Sequence, residues 1–356
     1  MFARAEGYYI VAAIPVSEAV FSRNVAVYII AFMEVLVFVA LFVNIYFLIK
    51  RLVVDNIHRI NDSQAQITGG NLDVTVDVRE NEEFASLSDD INSTVETLKQ
   101  YIDEAAARID KELEFARKIQ HAALPSVFPP YPNRKDFDIF AQMVTAKEVG
   151  GDFYDFYLLP NDKLGFLIAD VSGKGIPAAM FMMTAKTIIK GLAESGLEAD
   201  EIFTQANDKL NEGNDAGMFV TAWIGILNLH TGVLSYANAG HNPPVIRQKN
   251  GEFAYLKSQV NLVLAGMEGI TYKKQVLLLE PGDEIYLYTD GVTEATNKNE
   301  QLYGEDRLLK QLNRDPNENV TARCKHVLSN VNAFVGDAEQ FDDITMLSVK
   351  INSLLQ

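Results

Sequence analysis

Between Val25 and Ile49 the chain carries a single charged side chain, Glu34, in an otherwise nearly unbroken apolar run. As a helix these residues rise about 37 Å, more than the roughly 30 Å hydrocarbon layer of a bilayer, so the run can span with tilt. Glu34 and Asn44 interrupt it. A central carboxylate costs about 3 kcal/mol on insertion scales, while each Leu, Ile, Val or Phe returns about 0.3 to 0.6 kcal/mol. The apolar residues outweigh Glu34, which is expected to face another helix, as in a dimer, or to lie near the outer interface. Lys50, Arg51 and Arg59 follow the run. Their position places the C-terminal side in the cytoplasm. The expectation is a single pass through the cell (inner) membrane, residues 25–49; the competing reading is a buried helix of a soluble protein.

Ahead of this run, MFARAEGYY has no apolar core near its start and no small-residue cleavage site, so it does not read as a signal peptide. Tyr8 to Ile14 is rich in β-formers and reads as one strand, which cannot fold alone. Residues 1–24 are therefore expected to be the extracytoplasmic tail of a sensor domain lying upstream.

Charge is unevenly placed along the 356 residues, a length that allows two or three domains. Residues 1–60 hold five basic and four acidic side chains, so −18 of the overall −17 lies downstream. Without clustered Lys and Arg, nucleic acid is excluded as a ligand. Divalent cations or a basic partner suit this surface better, although acidity also simply keeps proteins soluble. The single cysteine, Cys324, rules out an internal disulfide and fits a reducing compartment.

After the span, Val53, Ile57, Ile60, Ala65 and Ile67 recur at helical spacing within Leu52 to Thr68. Gly69-Gly70-Asn71 stops that helix, and Leu72 to Val78 (LDVTVDV) alternates as an extended connector. A second amphipathic helix opens near Glu82 and runs through Phe84, Leu87, Ile91, Val95 and Leu98. Helix, connector and helix directly after a membrane span resemble a HAMP domain, assigned to residues 50–103. That resemblance implies two chains paired as a parallel four-helix bundle. The second-helix opening, ENEEF (Glu80 to Phe84), lacks the usual glycine. Val95, Ile102, Ile109, Ala116 and Ala123 then recur every seven residues, with Leu98, Ala105 and Ile119 three positions later. Glu112 and small residues sit in this seam, the pattern of a marginal coiled coil suited to switching. A plain surface helix is the alternative. Residues 104–125 form the linker, and Pro125, Pro129, Pro130 and Pro132 mark the boundary to the last domain, 126–356.

In that domain, strands are predicted at Phe137–Met143, Phe153–Leu159, Leu164–Val171, Phe219–Leu229, Val233–Ala237, Val245–Gln248, Tyr272–Leu279, Glu284–Thr289 and Thr345–Ile351. Helices are predicted at Ile176–Ala193, Ala199–Asn211, Glu305–Asn313 and Val320–Val335. Short turns at Asn161-Asp162, Thr231-Gly232 and Asn250-Gly251 indicate mostly antiparallel pairing. Paired helices are expected to cover the outer faces of two packed sheets, an α+β arrangement. Four acidic strand ends or loops stand out: GGDFYD (Asp152, Asp155), ADVSGKG (Asp170), YTDG (Asp290) and FDDIT (Asp342, Asp343). A carboxylate at a strand end followed by freely turning backbone can hold a cation beside a cleft, or simply cap the next helix.

EVGGDFYD, ADVSGKGIPAAM, FVTAWIG, YANAGHNPP, YTDGVTEA and FDDITML occur in that order. Together they resemble the SpoIIE/RsbU branch of the PP2C-type (PPM) serine/threonine phosphatases, over about Glu114 to Ile351. The resemblance implies a central β-sandwich flanked by helices, holding two Mn²⁺ or Mg²⁺ ions at one edge. It implies further that Asp170 bridges both ions with the Val171 carbonyl on the second. Asp290 and Asp342 hold the first, and Asp152 acts through coordinated waters; Asp343 remains an alternative to Asp342. The chemistry agrees. Phosphomonoester hydrolysis has a very large barrier. Two cations about 3.5–4 Å apart can lower the pKa of a shared water and aim it at phosphorus. Hard divalent ions want oxygen ligands, and the sequence offers carboxylates with no His or Cys cluster.

Ser172 stands where the wider family often places a general-acid histidine. His241 reads as a loop-ordering residue, with general acid as the alternative, and Asp155 as a structural partner. Lys147 and Lys174 are candidates for contacting substrate phosphate, or are solvated charges. Met180, Met182 and Met183 read as core packing. The resemblance implies a phosphorylated protein substrate, a phosphoserine or phosphothreonine on an anti-sigma-factor antagonist, and a dimeric signalling enzyme. Two other readings are a non-catalytic receptor module, and a diguanylate cyclase suggested by GGDFYD. The cyclase would leave ADVSGKG, TDG and DDIT unexplained.

Overall fold

The computed structural model describes residues 2–5, 8–11, 13–248, 251–315 and 317–356. Met1, Glu6, Gly7 and Ala12 of the expected N-terminal tail, and Asn250 of one expected turn, lie outside the described residues. The chain divides into two compact units, Met1–Arg108 and Ile109–Gln356.

In the first unit, β1 (Phe2–Ala5) pairs antiparallel with β2 (Tyr8–Val11). The strand expected over Tyr8–Ile14 is found as Tyr8–Val11 and has an antiparallel partner in β1 rather than standing alone. Helix α1 (Val16–Ile49) continues through a π-helical turn, Lys50–Val54, into α2 (Asp55–Thr68). The stretch Arg23–Thr68 is long and apolar enough to cross a membrane. The connector to α3 (Glu82–Ala123) contains no regular element. Its backbone is instead satisfied by side chains of α3. Asn92 accepts from the Val76 N–H at 2.9 Å and donates to the Val76 carbonyl at 2.8 Å, and Ser88 accepts from the Val78 N–H. This alternation buries Val76 and Val78 with Ile60 while leaving the intervening side chain outside. Helix α3 runs on without a break to Ala123, as the heptad stripe predicts, and ends just before Pro125.

The second unit is a sandwich of two five-stranded sheets. In chain order its strands are β3 (Phe137–Val144), β4 (Phe153–Leu159), β5 (Lys163–Val171), β6 (Val220–Asn228), β7 (Val233–Ala239), β8 (Val245–Arg247), β9 (Phe253–Tyr255), β10 (Gln275–Leu278), β11 (Glu284–Tyr288) and β12 (Ile344–Ile351). One sheet has the order β10-β7-β6-β5-β4 and the other β3-β12-β11-β8-β9, with every strand pair antiparallel. Asn161 and Asp162 take positive φ (61° and 50°) in the β4–β5 turn, a conformation that Asn and Asp tolerate. Helices α4 (Ile176–Glu194) and α5 (Ala199–Asn211) lie on the first sheet. The one-turn helix α6 (Asp290–Thr293) follows β11, and α8 (Val320–Val335), flanked by α7 (Gly304–Leu312), lies on the second sheet. Phe166 and Trp223 on one face of the first sheet, Phe153 and Leu167 on its other face toward α4, and Leu347 of the second sheet all belong to one continuous apolar core. The expected α+β sandwich flanked by helices is the architecture found. Two short elements, β9 and α6, had no sequence signal, and the strand expected from Tyr272 begins only at Gln275.

Candidate active site

Antiparallel register brings the acidic strand ends together. Phe153 pairs with Ala169, so Asp152 and Asp170 stand opposite each other one residue beyond, at one edge of the first sheet. In the second sheet Tyr288 pairs with Met346, which carries Asp290, just past β11, and Asp342-Asp343, just before β12, to that same edge of the sandwich. A threonine joins the two sheets there. Thr289 donates from Oγ1 to the Asp152 carboxylate at 2.7 Å and accepts from the Thr345 N–H at 3.0 Å.

Crowded like charges disfavour ionisation, and burial adds to the effect. Burial, with the charges of Asp290 and Asp342, pushes Asp170 up to about 7. Asp152 is pushed well above the usual carboxylate range by burial first, then by Asp170 and Asp343. Asp290 is raised by burial, Asp342 and Glu294. The ammonium of Lys174 answers these charges, 3.0 Å from Asp342 and also bonded to the Phe341 carbonyl. Among the described residues, no three His, Cys, Asp or Glu side chains are drawn together into a ready metal cage. The donor set is nonetheless all hard oxygen, strongly anionic and mutually repulsive, which is what a divalent cation of the Mg²⁺ or Mn²⁺ type would relieve. The residues present fit such ions.

The two adjacent aspartates face different ways. Asp343 accepts from the backbone N–H of Ala146 (2.8 Å), Gly151 (2.8 Å) and Asp152 (3.4 Å), so both its oxygens clamp the GGD loop. Asp342 turns toward Asp170, Asp290 and Lys174. Asp342 has fewer partners: its Oδ1 accepts from the Asp343 N–H at 2.9 Å and its Oδ2 meets Lys174. Two glycines permit these approaches. A Cβ on Gly291 would collide with the Asp343 backbone carbonyl, and one on Gly151 would come to 2.7 Å of the Val171 carbonyl.

Other candidates fall outside the cluster. Asp155 is buried and paired with Lys186 of α4 at 2.6 Å, a structural partnership. His241 is buried. Its Nδ1 is 3.0 Å from Thr221 Oγ1, and its backbone exchanges two hydrogen bonds with the Asn238 side chain. Burial lowers it to about 4, so it is neutral and orders its loop. Ser172 accepts from the Phe219 N–H at 2.9 Å and is fixed to the first residue before β6. Lys147 is exposed on the loop before Val149 and forms no ion pair with the carboxylates among the described residues. Met182 is core, and Met183 packs against the core, but Met180 points outward and is 68% exposed, contrary to its expected burial.

Sequence reasoning missed Gln120. Near the end of α3 and buried, it donates to the Gly150 carbonyl at 2.7 Å and accepts from the Gly150 N–H at 3.1 Å. Tyr154, on β4, donates to the Pro125 carbonyl at 2.7 Å. The end of the helix is thereby bonded to the loop carrying Asp152.

Residues 160–352 match the family described as Stage II sporulation protein E (SpoIIE). The chain belongs to the SpoIIE family. Its second unit carries that family's PP2C-type serine/threonine phosphatase domain. The cyclase reading of GGDFYD falls with this membership. The chain is 31% identical to protein IcfG of Synechocystis over 271 residues, covering 68% of this chain and 42% of that protein. It is likewise 31% identical to phosphoserine phosphatase RsbU of Bacillus subtilis over 243 residues, covering 68% of this chain and 70% of RsbU. Among solved structures, the SiaA-PP2C domain of Pseudomonas aeruginosa superposes with a TM-score of 0.61 at 21% identity, over 70% of this chain and 99% of that domain. That likeness concerns the fold. The SpoIIE-family match begins after GGDFYD and contains ADVSGKG, TDG and FDDIT.

Proposed function

We propose that this chain is a membrane-anchored, divalent-cation-dependent phosphatase acting on phosphoserine or phosphothreonine of a protein, and that its substrate is a phosphorylated anti-sigma-factor antagonist. The observation carrying this reading is the convergence of Asp152, Asp170, Asp290 and Asp342 from two sheets onto one edge, where the ammonium of Lys174 meets Asp342. The description of RsbU as a phosphoserine phosphatase supports the substrate class.

Asp170 and the Val171 carbonyl, with Asp290 and Asp342, would hold two Mn²⁺ or Mg²⁺ ions, and Asp152 would anchor their water shell. Such ions supply Lewis acidity and an activated water for in-line attack on phosphorus. The chain's own residues set the frame for that chemistry. Asp343 fixes the GGD loop, Thr289 fixes Asp152, and the Ser172–Phe219 pairing fixes the turn after Asp170. His241 is buried and orders its loop, which leaves metal-bound water or another group to protonate the leaving alkoxide.

Residues 25–49 would anchor the enzyme in the membrane with the phosphatase domain in the cytoplasm. Leu98, Tyr101, Ile102, Ile109 and Ile119 stand exposed along α3, which supports pairing of two such helices in a homodimer. A change in that pairing would reach the site through Gln120 and Gly150. The test is phosphate release by the full-length protein in detergent from a phosphoserine protein, with Mn²⁺ and with chelator. Binding of the phosphoprotein without any release would favour a non-catalytic receptor module instead.

A further inference from the structure

The turn after Asp170 is rimmed by apolar side chains that stand exposed among the described residues. Ile176 and Met180 lie one turn apart on the same outward face of α4 and are 49% and 68% exposed. Phe219, bonded through its backbone to Ser172 in both directions, is 40% exposed. On the other side Phe341, 67% exposed, lies with its ring 4.0 Å from the Lys174 ammonium that also holds Asp342. These residues flank the ADVSGKG turn and the FDDIT loop, so the apolar rim is continuous with the carboxylate edge. Large exposed apolar groups gathered beside a polar site mark interaction surfaces rather than ordinary surface scatter.

We infer that this rim is the docking surface for the folded protein that carries the phosphoserine, which must present an apolar surface around its phosphorylated residue. A phosphoserine side chain is short. For its phosphate to reach ions that Asp170 and Asp342 would hold, the backbone bearing it must approach the ADVSGKG turn and the FDDIT loop, beside which Ile176, Met180, Phe219 and Phe341 stand exposed. The surrounding domain is acidic, so it repels a phosphorylated partner at long range. Apolar burial at the rim is what offsets that repulsion. The inference rests on the phosphatase reading and adds to it where specificity resides.

The test compares Met180→Glu and Met180→Leu with the wild type in the full-length protein, using p-nitrophenyl phosphate and a folded antagonist phosphorylated on its serine. The small ester needs only the carboxylate edge, whereas the phosphoprotein must also cover the rim. Met180→Glu should leave kcat/KM for p-nitrophenyl phosphate within twofold and raise KM for the phosphoprotein about tenfold. Met180→Leu, which keeps the apolar surface, should behave as wild type on both. Equal turnover of the phosphoprotein by wild type and Met180→Glu would overturn the inference while leaving the phosphatase reading intact. If wild type cleaves the small ester but not the phosphoprotein, the substrate reading falls, and the docking surface with it. A Met180→Glu protein that changes oligomeric mass at unchanged phosphoprotein KM would assign the rim to a second copy of this chain and likewise overturn the inference.

Discussion

The Gln120 carboxamide meets the backbone of Gly150 at both ends, donating to its carbonyl at 2.7 Å and accepting from its N–H at 3.1 Å. One residue of a long helix thus fixes the loop whose next glycine is held by Asp343 and whose aspartate lines the candidate site. Gln120→Leu leaves a buried donor and acceptor unmet, a loss of about 1–3 kcal/mol in stability. Because supporting contacts around metal sites commonly change affinity tenfold or more, the Mn²⁺ concentration for half-maximal phosphate release should rise roughly tenfold. Metal titrations of the two proteins check this.

Lys186 and Asp155 form a buried pair that bolts α4 to β4. Removing one partner strands a charge, so Lys186→Met should cost about 3–5 kcal/mol in chemical denaturation. The double replacement Lys186→Met with Asp155→Leu should recover most of that loss, since no unpaired charge remains.

His241 sets a pH dependence of known sign. Its folded-state value of about 4 lies below the unfolded value near 6.5, so the unfolded chain binds the proton more readily. The stability this neutral imidazole contributes is complete above pH 6.5 and is lost as pH falls from there toward 4, at up to about 1.4 kcal/mol per unit. Denaturation curves of wild type and His241→Asn should therefore diverge less at pH 4.5 than at pH 7.

Gly291 allows the Asp343 carbonyl to pass against α6. Gly291→Ala inserts a methyl group where backbone already lies, which should shift the TDG turn and cost about 1–3 kcal/mol. Phosphatase activity should fall with it, because Asp290 is the adjacent residue.

The strong periodicities were legible in the sequence. Strand β4 and helices α5 and α8 have the bounds predicted for them: the helices bury a face at helical spacing, while β4 is a short aromatic-rich run buried on both faces. Strand β9 was not legible: Phe253–Tyr255 is too short to display a period and lacks the β-branched pair, Val245 and Ile246, that marked the equally short β8. The carboxylates of the site could be picked out by type and position. Their hydrogen-bond partners could not: Asp342 and Asp343 are chemically identical neighbours, and nothing in their type says that Asp343 is the one that accepts from the backbone N–H groups of Ala146 and Gly151. Gln120 left no signal for the same reason, since its partner is backbone and carries no side-chain signature. Met180 misled because an apolar residue on an apolar helix reads as core until neighbouring elements show which face is covered.

The central claim is tested most directly by measuring phosphate release from a phosphoserine protein by full-length wild type and Asp170→Asn, with Mn²⁺ and with chelator. Release should require Mn²⁺ or Mg²⁺, and Asp170→Asn should lower it more than about a hundredfold with the fold retained. Undiminished release by Asp170→Asn, or release in chelator equal to that in Mn²⁺, would contradict the account.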